Sequence, residues 1–330
     1  MRLPWIQLLC LHVLLLLGTL HQMPALAEVE VRRESYRGWT QAVLLANRRV
    51  EVVVVPEIGR IQQFRFSGTR DGVFWENPVL SGKPMISNAW ERFPGSFGGD
   101  KTWPAPQSAW NWPPPDIFDA APLSLEVNPD RSLQLTSPLS PRFGIRTVRR
   151  VVLEPEAPVF RVETTYFKQA GDPVDVSVWV ITQLNPPEAT YYPVPATTAF
   201  PTGLAAQWKP SSGHVTLRDG LVRFTRDPKA SQKIGNDADR MAWVGRDAVV
   251  RIDLPRLPGA TYPDEGCSVE IYTNPDPTAY VELETLGPRR RLNVGERLSA
   301  TNYYRLERRS LTEPDAEARR ILALPNLTAP

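Results

Sequence analysis

The sequence predicts an all-β protein, two large antiparallel sheets packed face to face, with a short C-terminal helix. Three observations carry this. Apolar and polar residues alternate with period two nearly everywhere, and long helical periodicity is almost absent. Gly and Pro punctuate the alternating runs, and the 34 prolines suit strand edges and loops rather than helices. The runs are also numerous, and more than about a dozen strands in one sheet would curl or split, which favours two packed sheets.

The first 27 residues stand apart. Arg2 supplies a positive charge, an apolar core runs from Leu8 to Leu17, and Pro24-Ala25-Leu26-Ala27 ends in a small-x-small pattern. This reads as a secretory signal peptide cut after Ala27, with an uncleaved anchor as the rival reading. The run is shorter than the roughly 20 residues of a membrane helix, and nothing later approaches that length. No membrane span is therefore expected in the mature chain, and its location would be secreted or periplasmic. Residues 28–312 then form one sandwich domain, since no linker, fixed-period repeat or low-complexity block divides them.

Within that domain Val50, Val52 and Val54 alternate with Glu51, Val53 and Val55. Phe160, Val162, Thr164 and Tyr166 alternate with Arg161, Glu163 and Thr165, and Val174 to Val180 present valine on one face. Similar short runs occur at 59–66, 144–153, 247–254, 267–272, 279–286 and 297–307. Residues 313–330 form the helix and tail: Thr312 caps a turn beginning Glu313-Pro314-Asp315, and the helix runs to about Leu324.

Composition excludes several functions. The formal charge of +2 falls to +1 without Arg2, which gives no case for nucleic acid as a partner. Only Cys267 is left after cleavage, so no intrachain disulfide forms, and its alternating surroundings suit a buried inert thiol. With His214 the single histidine of the mature chain, a conventional zinc site is ruled out. No metal and no cofactor is expected, and there is neither a phosphate-cradling glycine motif nor a nucleophile elbow.

The segment from Asn77 to Ala121 reads as about 45 residues without a convincing strand, a length typical of functional or disordered loops. Its aromatics, Trp90, Phe93, Phe97, Trp103, Trp110, Trp112 and Phe118, argue against disorder and for an ordered lid or rim across one sheet. Within it, Gly98-Gly99-Asp100-Lys101-Thr102-Trp103-Pro104-Ala105-Pro106-Gln107 combines what a sugar site needs. Trp103, Trp110 and Trp112 offer flat apolar surface, and Asp100, Lys101 and Gln107 offer groups for hydroxyls. The glycines would let the backbone approach a ligand. The competing reading makes the tryptophans core that seals the sheet and Asp100 and Lys101 a structural pair. Glu282 and Glu284 share one face of the strand from Tyr280 to Thr285, either as acid–base groups or as a solvated outer face.

The C-terminal half contains, in order, Val269-Glu270-Ile271-Tyr272-Thr273-Asn274, Leu283-Glu284-Thr285, Gly287-Pro288, Val294-Gly295-Glu296 and Thr301 to Leu306. That order resembles the aldose 1-epimerases, or galactose mutarotases. The opening, Leu45-Ala46-Asn47, Val50 to Pro56 and Gly59-Arg60-Ile61, resembles their first hairpin. The run at 98–107 and Tyr280 to Pro288 are similar to one secreted branch, the bacterial domain of unknown function 4380 family. The resemblance spans about Val29 to Arg308. It implies a galactose-mutarotase-like β-supersandwich with a sugar cleft on one concave sheet. It puts Glu284 at the place of the mutarotase base and Lys101 near the stretch that supplies a sugar-binding arginine. Where mutarotases carry a histidine as general acid, Trp179-Val180-Ile181-Thr182-Gln183-Leu184-Asn185 has Gln183, which cannot donate a proton at neutral pH.

The expected protein is thus an exported binder of a sugar or polysaccharide fragment, without ordinary aldose mutarotase activity. Glu284 is the candidate catalytic residue, and Asp100, Lys101, Trp103, Gln107, Gln183 and Lys233 are the candidate binding residues. Lys233 enters through the loop Lys233-Ile234-Gly235-Asn236. Two other classes stay open: a carbohydrate-active enzyme, epimerase or glycan-cleaving, with Glu284 as base helped by Lys101 or Glu282, and a structural module of the envelope.

Overall fold

The computed structural model describes residues 28–85, 96–205, 210–211 and 213–327; the expected signal segment, Trp90 and Phe93 lie outside the described residues. Five strands open the chain: β1 (Glu30–Tyr36), β2 (Trp39–Ala46), β3 (Val50–Val55), β4 (Arg60–Phe66) and β5 (Asp100–Ala105). The one-turn helix α1 (Asp116–Asp119) follows. Then come β6 (Ser124–Val127), β7 (Leu133–Thr136), β8 (Ile145–Leu153), β9 (Val159–Lys168), β10 (Val174–Leu184), β11 (Ala189–Pro193), β12 (Val215–Arg218) and β13 (Leu221–Phe224). The last strands are β14 (Gln232–Asn236), β15 (Arg240–Val244), β16 (Ala248–Asp253), β17 (Val269–Asn274), β18 (Tyr280–Leu286), β19 (Arg290–Leu292) and β20 (Arg297–Arg308), before helix α2 (Pro314–Leu322).

These strands form two ten-stranded antiparallel sheets. The front sheet runs β1-β2-β3-β4-β5-β10-β18-β17-β14 with β19 beside β10, and the back sheet runs β12-β13-β11-β15-β16-β20-β9-β8-β7-β6. The main core lies between them, where Val52, Val54, Ile61, Phe64 and Leu184 of the front meet Phe160, Tyr304 and Leu306 of the back. Phe160 and Tyr304 stack 4.4 Å apart and Phe64 meets Phe160 edge-on at 4.7 Å. On the other face of β2 and β3, Trp39, Leu44, Val53 and Val55 are covered by Leu80 and Phe97.

Two expectations change here. The stretch 77–121 is not strandless, because β5 lies within it and pairs along its whole length with β10, from Ser177↔Ala105 to Thr182↔Asp100. Its sequence, Asp-Lys-Thr-Trp-Pro-Ala, has little strand propensity, and pairing with a buried neighbour overrides that. Pro104 is tolerated because β5 meets β4 through Ile61↔Asp100 alone, so the proline is asked for no hydrogen bond on that side. The helix, for its part, starts from Glu313 rather than a Thr312 cap and ends at Leu322. The buried Glu317 carboxylate instead takes the free backbone N–H groups of Ser310 (3.2 Å) and Leu311 (3.1 Å) ahead of the helix.

Alternation along β5 sends Asp100 inward and Lys101 outward. Between the sheets Asp100 is fully buried and ion-paired with Arg149 of β8, and it accepts hydrogen bonds from Thr182 Oγ1 and Tyr304 Oη, both at 2.7 Å. Breaking a buried pair from one side leaves a charge in low dielectric. Asp100→Ala should therefore lower stability by about 3–5 kcal/mol in urea unfolding, and adding Arg149→Met should restore much of it. A loss below about 1 kcal/mol for the single variant would show that the pair does not tie the sheets together.

Candidate functional site

On its outward face the front sheet collects side chains from five neighbouring strands. The registers Ile181↔Lys101, Ile181↔Glu284, Gln183↔Glu282, Glu270↔Glu284 and Lys233↔Tyr272 place them side by side. Over this face lies a cleft of about 550 Å³, a size typical of small-molecule sites. Trp103, Trp112, Trp179, Tyr272 and Tyr280 give it aromatic walls, and Gln107, Lys233, Asn274, Glu282 and Glu284 give it polar groups.

Glu284 is almost wholly buried, and its Oε2 accepts hydrogen bonds from Trp179 Nε1 (2.7 Å) and Lys233 Nζ (2.9 Å). The same ammonium lies 2.5 Å from Oε2 of Glu270, so one lysine bridges two carboxylates. Burial opposes the charge on Lys233, yet the two carboxylates outweigh it and hold the ammonium well above the ordinary lysine range. Burial pushes the Glu270 carboxyl far up, against the pull of Lys233.

Glu282 sits two residues away on β18, about 6–7 Å along the strand. Its Oε1 accepts from Gln183 Nε2 at 2.9 Å and lies 3.8 Å from Lys101 Nζ. Burial pushes Glu282 up to about 7, with Lys101 opposing the shift and Glu284 adding to it. Burial in turn lowers Lys101, whose ammonium also donates to Ser96 Oγ at 3.2 Å and stands 4.5 Å from the centre of the Trp103 ring.

The structure brings most of the expected residues to this face. Glu284, Trp103, Gln107 and Lys233 line the cleft, whereas Lys101 and Gln183 lie buried on the same face against Glu282. Asp100 does not join them, because a strand cannot turn consecutive side chains to one face. Nor do Gly98 and Gly99 make room for a ligand. With positive φ they pass so near their own chain that a Cβ would come within 2.1 Å of Trp75 O and 2.5 Å of Ile61 O. Trp103 is 5% exposed, bonds Asp119 through Nε1 (3.0 Å) and meets Trp110, Trp112 and Trp179 edge-on. The open ring is Trp112, 56% exposed. His214 is off the cleft and bonds Thr225 Oγ1 at 3.2 Å.

The sequence reasoning missed Glu270, Tyr272 and Asn274 as a group. Their signal was present: along β17 they alternate with Val269, Ile271 and Thr273, a polar face in an otherwise apolar strand.

The profile of a family described as "Domain of unknown function (DUF4380)" matches residues 40–307. No curated protein matches the chain. Among solved structures, the Slr1438 protein from Synechocystis is similar with a TM-score of 0.55 at 12% identity, over 86% of this chain and 99% of that one. A galactose mutarotase-like protein from Clostridium acetobutylicum gives 0.53 at 8% identity, over 85% and 99%. A second, from Lactobacillus casei, gives 0.50 at 9%, over 81% and 100%. These likenesses show the fold, a galactose mutarotase-like sandwich. Among the described residues no helix is long and apolar enough to cross a membrane.

A carboxyl whose pKa is raised by folding stabilises the protein at low pH, and that contribution is lost as pH rises through the folded value. For Glu282 this means stability falling as pH rises to and through about 7. Glu282→Gln should flatten that slope around pH 7. Denaturant unfolding of both proteins at several pH values measures it, and an unchanged slope would show that Glu282 does not titrate in this window.

Proposed function

This chain belongs to the DUF4380 family, and we propose that it is an exported carbohydrate-binding protein whose cleft holds a sugar or polysaccharide fragment without ordinary aldose mutarotase activity. One observation carries the reading. The cleft combines an exposed indole, Trp112, and the phenols Tyr272 and Tyr280 with the carboxylates of Glu282 and Glu284 on one face of the sheet. A pyranose has the matching chemistry, an apolar CH face and a rim of hydroxyl donors. The open, aromatic-walled cleft also fits a ligand better than it fits a structural module, which would present a flat face.

The absence of ordinary mutarotation rests on Gln183. Ring opening of an aldose needs one group to take the anomeric proton and another to give a proton to the ring oxygen. Gln183 stands where the family resemblance puts that acid, but it is an amide, fully buried, with its Nε2 committed to Glu282. A specific observation favours the enzymatic reading instead: Glu282, pushed up to about 7, could give a proton while Glu284 takes one. Export rests on Arg2, the Leu8–Leu17 run and Ala25-Leu26-Ala27. The protein recovered from its host should then begin at Glu28.

A glycan panel followed by calorimetry tests the binding. Trp112→Ala should weaken the best ligand by about 1–3 kcal/mol, the loss of one aromatic platform. Polarimetry on freshly dissolved glucose and galactose should show no protein-dependent acceleration. An acceleration that both Glu284→Gln and Glu282→Gln abolish would establish the enzyme in place of the binder.

A further inference from the structure

We infer that this cleft takes a linear oligosaccharide of at least three units, laid along strand β18, rather than a single monosaccharide. The inference rests on the proposed carbohydrate-binding role and specifies the size and path of the ligand.

The first ground is length. Trp179 and Tyr280 both line the cleft. Trp179 pairs with Leu286, and Leu286 is six residues along β18 from Tyr280, about 20 Å at the ordinary rise of a strand. Glu284 and Glu282 line the cleft at the two outward positions in between, so the floor changes residue about every 6–7 Å. A pyranose, a ring built of bonds about 1.5 Å long, reaches about 6 Å with its hydroxyls. One sugar unit therefore answers to one outward position of β18. A single unit set against Trp179 leaves the Tyr280 end unfilled.

The second ground is that the two ends are alike. At the first, Trp103 of β5 lies opposite Trp179, the rings edge-on at 5.4 Å, with the exposed Gln107 beside them at the cleft. At the other, Asn274 of β17 lies opposite Tyr280, whose ring stands 6.2 Å from that of Tyr272. The Tyr272 hydroxyl lies 2.8 Å from both Ser231 Oγ and Asn274 Oδ1, which fixes that ring in place. Each end thus offers aromatic rings edged by polar groups, the combination that meets an apolar CH face with hydroxyls around it. Two such places in one cleft suit a ligand that repeats its own chemistry.

The third ground is volume. The cleft holds about 550 Å³. Cavities of that size enclose drug-sized molecules, well beyond the dozen or so non-hydrogen atoms of roughly one hexose.

Calorimetric titration with cello-, malto-, xylo- and chito-oligosaccharides of one to five units tests the inference. In a series that binds, affinity should rise roughly tenfold or more from one unit to three and level off beyond four. Tyr272→Ala should bring the ratio of trimer to monomer affinity towards one while the affinity for the monomer holds. That ratio is taken within one protein, so a general loss of stability does not move it. Equal affinity from one unit to five, or a Tyr272→Ala loss shared equally by all lengths, would overturn the inference and leave the carbohydrate-binding role standing. Binding of no sugar at any length would overturn both.

Discussion

The alternation of side chains along three adjacent strands, β5, β10 and β18, governs this structure. It separates charges that are neighbours in sequence and gives each face its own electrostatic problem. Inward, Asp100 must find a cation between two apolar sheets, and Arg149 of the back sheet supplies it together with Thr182 and Tyr304 hydroxyls. Outward, Lys101, Glu282 and Glu284 share a face that is only partly solvated. Charges taken from water cost several kcal/mol each unless paired, so both faces hold ion pairs, but the inner one is closed and the outer one faces a cleft.

The outer arrangement depends on strand order more than on any single strand. β14 and β17 come between β11 and β18 in the chain but lie at the edge of the front sheet, where they deliver Lys233 and Glu270 to Glu284. Lys233 fixes Glu284 and Glu270 in place, while Lys101 and Gln183 do the same for Glu282 from below. The two carboxylates at the cleft thereby sit in different surroundings, one against an ammonium and an indole N–H, the other against an amide and a distant ammonium.

Much of the fold was legible because most strands carry their own alternating pattern; the runs at 50–55, 144–153 and 279–286 reappear as β3, β8 and β18. β5 was not legible. Its six residues include two charges and a proline, and only the pairing with β10 makes them a strand. Once β5 is a strand, the inward turn of Asp100 follows from period two alone. Whether Trp103 or Trp112 is the open ring was beyond reach of the sequence, because it depends on how the loop after β5 folds back against the sheet. The role of Gly98 and Gly99 was hidden for a similar reason, since their close neighbours, Trp75 and Ile61, belong to other segments.

The proposed function requires a sugar to enter on the outer face of β5, β10, β18 and β17. The indole N–H signals of ¹⁵N-labelled protein, assigned by single Trp→Phe variants and followed while a bound glycan is titrated, test it most directly. The Trp112 and Trp179 signals, from rings that line the cleft, should move in step with saturation, while Trp39, whose Nε1 donates to Lys83 O on another part of the front sheet, should stay still. Saturable binding that leaves Trp112 and Trp179 unmoved would contradict the account and place the ligand elsewhere.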